Sequence, residues 1–367
     1  MRDSPDIALG LRAEVTRRMS SPILSQEGFL SIVEAGVLAP SADNRHPVLF
    51  DRQDDTIRIW GDDVFLSAPF HRRVLCRIGI GAIAENMRLR AGSLGLETAI
   101  TWFPDPGKPS LAAELRLTAL NGEADALAQA IPLRRTNRRM FRGRRMTDAQ
   151  RQALSRDAQS VPGTRLIWLD QQSLRHKVLR LVRIAESERF GCQPLHEDLF
   201  ASIRLDVGWK EAPEEGLAPG SLEVERPLRA AFGALRYWRL MQGLTFLGGH
   251  HLLGLRAGDI PCRLAPHVAA IATNLDLERG ALAVGRAFER AWLHLTSLGM
   301  ELQPFAACTL FALEGYEDVR PSVRQDLAEG WADIAPGMLP LIVFRFGRAP
   351  SPSLRSGRRK IESYLRS

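Results

Sequence analysis

The chain has 367 residues, 45% of them hydrophobic and 25% charged, and a formal net charge of +7. That balance excludes disorder, collagen-like repeats and a disulfide scaffold, and no run approaches the roughly 18 apolar residues of a membrane-spanning helix. Cys76, Cys192, Cys262 and Cys308 lie far apart with no Cys-x-x-Cys pair. This disfavours zinc, and no metal is expected. The first residues, with Asp3, Asp6 and Arg12, carry no apolar run of the secretory kind, so the expected location is the cytoplasm.

In chain order, residues 26–40 place Phe29, Ile32, Val33, Val37 and Leu38 at helical spacing, and the helix stops at Pro40. A loop of turn formers covers 41–47, with strand candidates at 48–50 and 56–60. Residues 73–94 predict a helix with Ile78, Ile80, Ile83, Met87 and Leu89 on its apolar side, closed by Gly95 and followed by a strand over 97–103. A second strand is expected at 114–120, and the acidic stretch 122–130 reads as a linker.

The later part opens with Pro132 and an arginine cluster, then a helix capped by Thr147 with Asp148 behind it. A strand at 164–169 and an amphipathic helix at 173–189 follow. Residues 206–228, with Pro213, Gly216, Pro219, Gly220 and Pro227, read as irregular and exposed. The nearly continuous apolar run 268–273 predicts a buried strand, 277–298 a helix closed by Gly299, and 339–346 a last strand.

The positive charge is almost wholly arginine: lysine occupies only positions 108, 177, 210 and 360 of 49 basic residues, leaving 45 arginines. Seven of these fall within residues 134–145, and Arg358, Arg359 and Lys360 stand together near the end. Such clusters imply an anionic partner. Arg134, Thr136 and Arg138 alternate, so in an extended segment they share one side and suit a phosphomonoester. A solvated basic run or a nucleic-acid patch is the competing reading, although interleaved aromatics and a known module are missing. His250-His251 lacks a third ligand at useful spacing.

The two parts share a pattern, a long helix turning through Leu94-Gly95-Leu96 in one and Leu298-Gly299-Met300 in the other, each leading into a strand-like run. A duplication would let one chain mimic a symmetric dimer with a site between its halves.

Four motifs carry a resemblance. The loop Pro40-Ser41-Ala42-Asp43-Asn44-Arg45-His46-Pro47 is similar to the Pro-Ser-x-x-Asn-x-Gln-Pro loop of the FMN-dependent nitroreductase family, with His46 where glutamine is usual. Arg134-Arg135-Thr136-Asn137-Arg138 resembles that family's phosphate-binding opening, residues 285–304 its helix, glycine corner and proline-bearing strand, and residues 355–359 its closing basic segment. The order resembles the fused, single-chain branch called Acg-like and covers about residues 26–360, with 195–262 least matched.

The resemblance implies an α+β fold with mixed or antiparallel sheets flanked by helices, and two related halves forming a pseudo-dimer. Residues 1–125 would form the first half and 126–367 the second, which would carry a lid-like insertion over about 195–262 and a basic C-terminal tail. It further implies one FMN across the interface of the halves. Its contacts would be Pro40, Ser41, Asn44, His46, Arg134, Arg135, Thr136, Arg138 and Arg358, with Gln303, Pro304, Phe305 and Ala306 beside the reactive edge of the ring. The expected activity is hydride transfer through flavin N5 at that interface, with a small-molecule substrate and NAD(P)H as partners. A flavin-sequestering protein with a lid over the ring is the alternative, and Trp209, Tyr237 and Trp238 are candidates for that lid. No catalytic residue is assigned, neither nucleic acid nor a membrane is expected as partner, and a monomer or homodimer fits.

Overall fold

A computed structural model describes residues 23–366. Helix α1 (Gln26–Val37) begins at Ser25, whose hydroxyl accepts from the Gly28 N–H and so satisfies one free amide of the first turn. Strands β1 (Val48–Gln53) and β2 (Thr56–Gly61) pair antiparallel, and α2 (Phe70–Ser93) follows them. At Gly95, φ is +77°, a conformation glycine adopts without steric cost, and the chain turns there into β3 (Leu96–Trp102) and β4 (Leu111–Ala119).

The grammar repeats. Helix α3 (Asp148–Gln159) carries a capping box in which Thr147 and Gln150 satisfy each other's backbone amides. Strand β5 (Thr164–Trp168), helix α4 (Gln172–Gly191), β6 (His267–Thr273), α5 (Leu277–Ser297), β7 (Glu301–Phe305), α6 (Pro321–Ile334) and β8 (Leu339–Gly347) follow. Both sheets are four-stranded and antiparallel, in the order β1-β2-β4-β3 and β5-β6-β8-β7, so corresponding strands hold corresponding places. The fold is α+β, with two related halves in one chain.

The halves meet where α2 crosses α5. A Cβ added to Gly81 would run into the carbonyl oxygen of Leu282, and one added to Gly285 into that of Ile78. The contact is reciprocal: Gly81 pairs with Gly285 and Ile78 with Leu282 at one constant offset in the chain. Glu85 and Glu289, Leu94 and Leu298, and Gly95 and Gly299 keep the same offset. An isologous interface between identical subunits behaves in this way, and here both surfaces belong to one chain.

Two expectations are corrected. Residues 122–130 are no linker: Ala126–Ala130 forms a short 3₁₀ turn with Leu127 and Ala130 buried, and Asp125 bonds Arg290 at 2.9 Å across the halves. Residues 206–228 are irregular as expected, apart from turns at Pro219–Leu222 and Arg226–Leu228, but not exposed throughout, since Gly216 and Ala218 to Ser221 are buried; helices Arg229–Ala234, Trp238–Phe246, Gly249–Gly254 and Ile260–Leu264 follow. This inserted stretch builds its own apolar cluster around Phe190, Phe200, Ile203 and Met241.

Candidate functional site

The turn after α1 is unusual: Asp43 and Asn44 have φ of 53° and 56°, the left-handed region that Asp and Asn tolerate better than other non-glycine residues. It follows the C-terminal end of α1, whose last carbonyls lack helical partners and carry the negative end of the helix dipole. Arginines from the later half occupy them. Arg358 donates from Nε to the Val37 carbonyl at 2.8 Å and from a terminal nitrogen to Ala39 at 3.2 Å, while Arg134 donates to Leu38 at 2.8 Å.

The arginine segment is itself anchored on the edge of the second sheet. Thr136 forms a parallel bridge with Leu302 of β7, and the Asn137 N–H donates to the Leu302 carbonyl at 3.0 Å. The Asn137 side chain turns away to the Pro350 carbonyl at 2.9 Å, leaving Arg134, Thr136 and Arg138 on the other side.

These pieces enclose one cavity of about 610 Å³. Of the residues expected from the sequence, Pro40, Ser41, Asn44, Arg134, Arg135, Thr136, Arg138, Gln303, Pro304, Phe305, Ala306 and Arg358 all line it. His46 is absent from its walls: the ring is buried, its Nε2 has no partner, and its own carbonyl accepts from Arg359. Burial first, then Arg358, lower its pKa to about 3, so the imidazole is neutral. Asn44 reaches the cavity, but its amide is already committed to the carbonyls of Glu214 and Gly357 and to Arg358.

The electrostatics are lopsided. Among the acids in the wall, Asp43 pairs with Arg72, Glu186 with Arg189, Glu223 with Arg139 and Glu225 with Arg256. Arg138, Arg355 and Arg358, in contrast, have no carboxylate partner among the described residues. Arg138 donates to the Ser221 carbonyl at 3.0 Å and Arg355 to Pro132 at 2.6 Å. Burial lowers the pKa of Arg138 and, with Arg134, brings that of Arg358 to about 10. Arg134 faces Glu289 at 3.5 Å and lies 4.5 Å from the centre of the Trp292 ring. Burial pushes Glu289 up to about 7, so even this partner is only partly charged at neutral pH. One wall therefore carries surplus guanidinium charge. The opposite wall, from the inserted stretch, is apolar, with Ile203, Leu217, Leu222, Phe232, Leu235 and Leu253. Trp209, Tyr237 and Trp238 do not line it.

Sequence reasoning missed Arg345. It is fully buried and donates from Nε to Gln303 Oε1 at 2.8 Å and to the carbonyls of Arg138 and Arg139. A guanidinium can only donate, so Gln303 must offer its oxygen, which leaves the amide NH₂ free to donate. The only signal in the sequence was a single arginine in an otherwise apolar final strand.

The pseudo-equivalent place differs in kind. The counterparts of Phe288 and Trp292 are Ala84 and Arg88, and Arg88, Arg286 and Arg290 converge on Glu85 there.

No family model matches the sequence, and no curated protein matches it. Among solved structures, it is similar to the FMN-dependent nitroreductase of Mycobacterium smegmatis in complex with NADPH, at 20% identity over 66% of this chain and 99% of that one, with a TM-score of 0.35. It is also similar to a nitroreductase with bound FMN from Bacteroides fragilis (11%, 65% and 96%, TM-score 0.35). A nitroreductase-like family protein from Bacillus cereus gives 12%, 68% and 98%, with a TM-score of 0.36. Superpositions this loose leave the functional reading to rest on the cavity's own residues.

Proposed function

We propose that the chain binds one FMN in this cavity and acts as a flavin-dependent oxidoreductase. The carrying observation is the guanidinium charge of Arg134, which is buried, and of Arg138 and Arg358, half-buried in the cavity wall, which no carboxylate fully neutralises and which the anionic groups of FMN would balance. Ser41 supports the same reading, since its buried hydroxyl has no partner within the protein. FMN, when bound, supplies hydride transfer through N5, with NAD(P)H or a substrate as the donor.

The chain's own residues bind and orient. Arg134, Arg355, Arg358 and Thr136 would hold the phosphate, and the Ser41 turn the polar part of the cofactor. Gln303, its NH₂ freed by Arg345, and the end of β7 at Pro304, Phe305 and Ala306 would border the ring. Positive charge from Arg138 would stabilise an anionic reduced state. Purified protein should carry a yellow flavin spectrum, and the Arg134→Ala, Arg138→Ala double variant should lose it. A folded double variant that retains stoichiometric FMN would refute the assignment.

A second reading, flavin sequestration, is favoured by how the inserted stretch is tied over the cavity: Arg72 bridges Asp43 on the turn and Asp198 on the insertion. Anaerobic bleaching separates the two. Reduction by NADPH or NADH supports the enzyme, and reduction by dithionite alone supports sequestration.

A further inference from the structure

The outer side of the inserted stretch has a character of its own. Residues 226–258 hold five arginines and no aspartate or glutamate, so they account for +5 of the chain's +7. The acids at either border, Glu225 and Asp259, are paired with Arg256 and Arg263. Arg226, Arg236 and Arg239 are exposed and have no carboxylate partner among the described residues.

The same segment also concentrates exposed apolar side chains. It contributes six of the thirteen large hydrophobic residues left exposed among the described residues: Leu228, Tyr237, Leu240, Phe246, Leu247 and Leu252. Phe246 is 91% exposed, Leu247 80% and Leu252 70%, higher than any other apolar side chain described. Their spacing is helical. Across Trp238–Phe246 and its flanks, positions 236, 239, 240, 243, 246 and 247 fall on one outward stripe, while Met241 is buried and Trp238 and Leu244 turn inward. Arginines therefore flank one end of the stripe and a bare Phe-Leu tip closes the other. The inner side of this wall, at Phe232, Leu235 and Leu253, lines the apolar part of the cavity.

A stripe of Leu and Phe carrying uncompensated arginines at one end is the pattern of a helix lying in the interface of an anionic bilayer, the apolar tip among the acyl chains and the cations among the headgroups. We infer that residues 226–258 dock this protein onto an anionic lipid surface. This is surface docking and needs no spanning segment; no helix among the described residues is long and apolar enough to cross a membrane. A neutral protein partner would not explain the uncompensated arginines, and a second copy of this chain would bring like charge against like. The inference is independent of the flavin reading, because it rests on the outer face alone.

The test is co-sedimentation of the whole protein with vesicles of phosphatidylcholine containing phosphatidylglycerol, against vesicles of phosphatidylcholine alone. The protein should pellet with the anionic vesicles at low salt and be released as salt rises. Arg236→Glu with Arg239→Glu should weaken partitioning by at least about tenfold. Phe246→Ser with Leu247→Ser should weaken it comparably while the melting temperature and any flavin absorbance stay unchanged, since both side chains are exposed. Failure to bind anionic vesicles, or equal binding by the Phe246→Ser, Leu247→Ser variant, overturns the proposal. Ultracentrifugation supplies the other arm: a dimer abolished by that same variant would make the face a self-association surface and would equally overturn it.

Discussion

Glu85 and Glu289 occupy one place in the two halves, both fully buried, yet their carboxyls are pulled in opposite directions. Burial would raise each, but Arg286, Arg88 and Arg290 overcome it at Glu85 and hold it at about 2. At Glu289 burial wins over Arg134, with Asn86 and Arg358 opposing it less, and the value rises to about 7. Opposite pH dependences follow. Glu289 binds its proton more tightly in the folded chain than in the unfolded one. Its contribution to stability is therefore complete below about pH 4.5 and is lost as pH rises through about 7. Glu289→Gln should flatten that fall, worth on the order of 3 kcal/mol, in urea midpoints measured from pH 4.5 to 8. Glu85 contributes stability above about pH 4.5 that is lost as pH falls through about 2. Glu85→Gln should cost about 3–5 kcal/mol at neutral pH, because it leaves Arg290 and its neighbours without their buried counter-charge. An equal loss for both variants at pH 7 would show that the two sites do not differ as described.

At the scale of elements, the crossing of α2 and α5 decides how closely the halves approach. Gly81 and Gly285 each lie against a backbone carbonyl of the other helix, which cannot swing aside as a side chain can. Gly81→Ala and Gly285→Ala should each force the helices apart and destabilise the protein by about 1–3 kcal/mol, despite the better helix propensity of alanine. Thermal melting checks this, and Gly92→Ala, with nothing near its added Cβ, is the control. Both helices, both glycine corners and most strands could be read from the sequence, the helices from their apolar spacing and strands such as β6 and β8 from short, nearly continuous apolar runs. The short helices at 229–264 could not: each spans nine residues or fewer, too few for a helical spacing to repeat convincingly along the chain. Helix Pro321–Ile334 was likewise not anticipated, although its proline sits in the first turn as a helix start would have it.

At the scale of the whole molecule, the site exists only because chain segments more than 90 residues apart converge. The turn at Ser41, the arginines from 134 and the tail at Arg358 meet at the C-terminal end of α1. The inserted stretch is joined to this assembly through Arg72, which holds Asp43 and Asp198 together. Arg72→Ala should therefore loosen the insertion without removing the basic wall. Limited proteolysis should cut within residues 206–245 several-fold faster than in the parent protein, with global melting little changed. An unchanged cleavage pattern would mean that packing around Met241 and Phe200 alone keeps the stretch in place.

Residue type and spacing were enough to suggest the duplicated halves, most of the strand–helix order, the basic run and the serine–asparagine turn, because each rests on patterns written within a few turns of chain. Twelve of the thirteen residues picked out beforehand reach one cavity. What needed three dimensions was how each polar group is used. Asn44 and Arg358 are occupied with each other, His46 is sealed behind the wall, and Arg345, silent in the sequence, orients Gln303. Twin glutamates acquire opposite proton affinities for the same reason. A side chain's charge and free hydrogen-bonding capacity depend on which distant partners share its buried volume, and linear order does not contain that information.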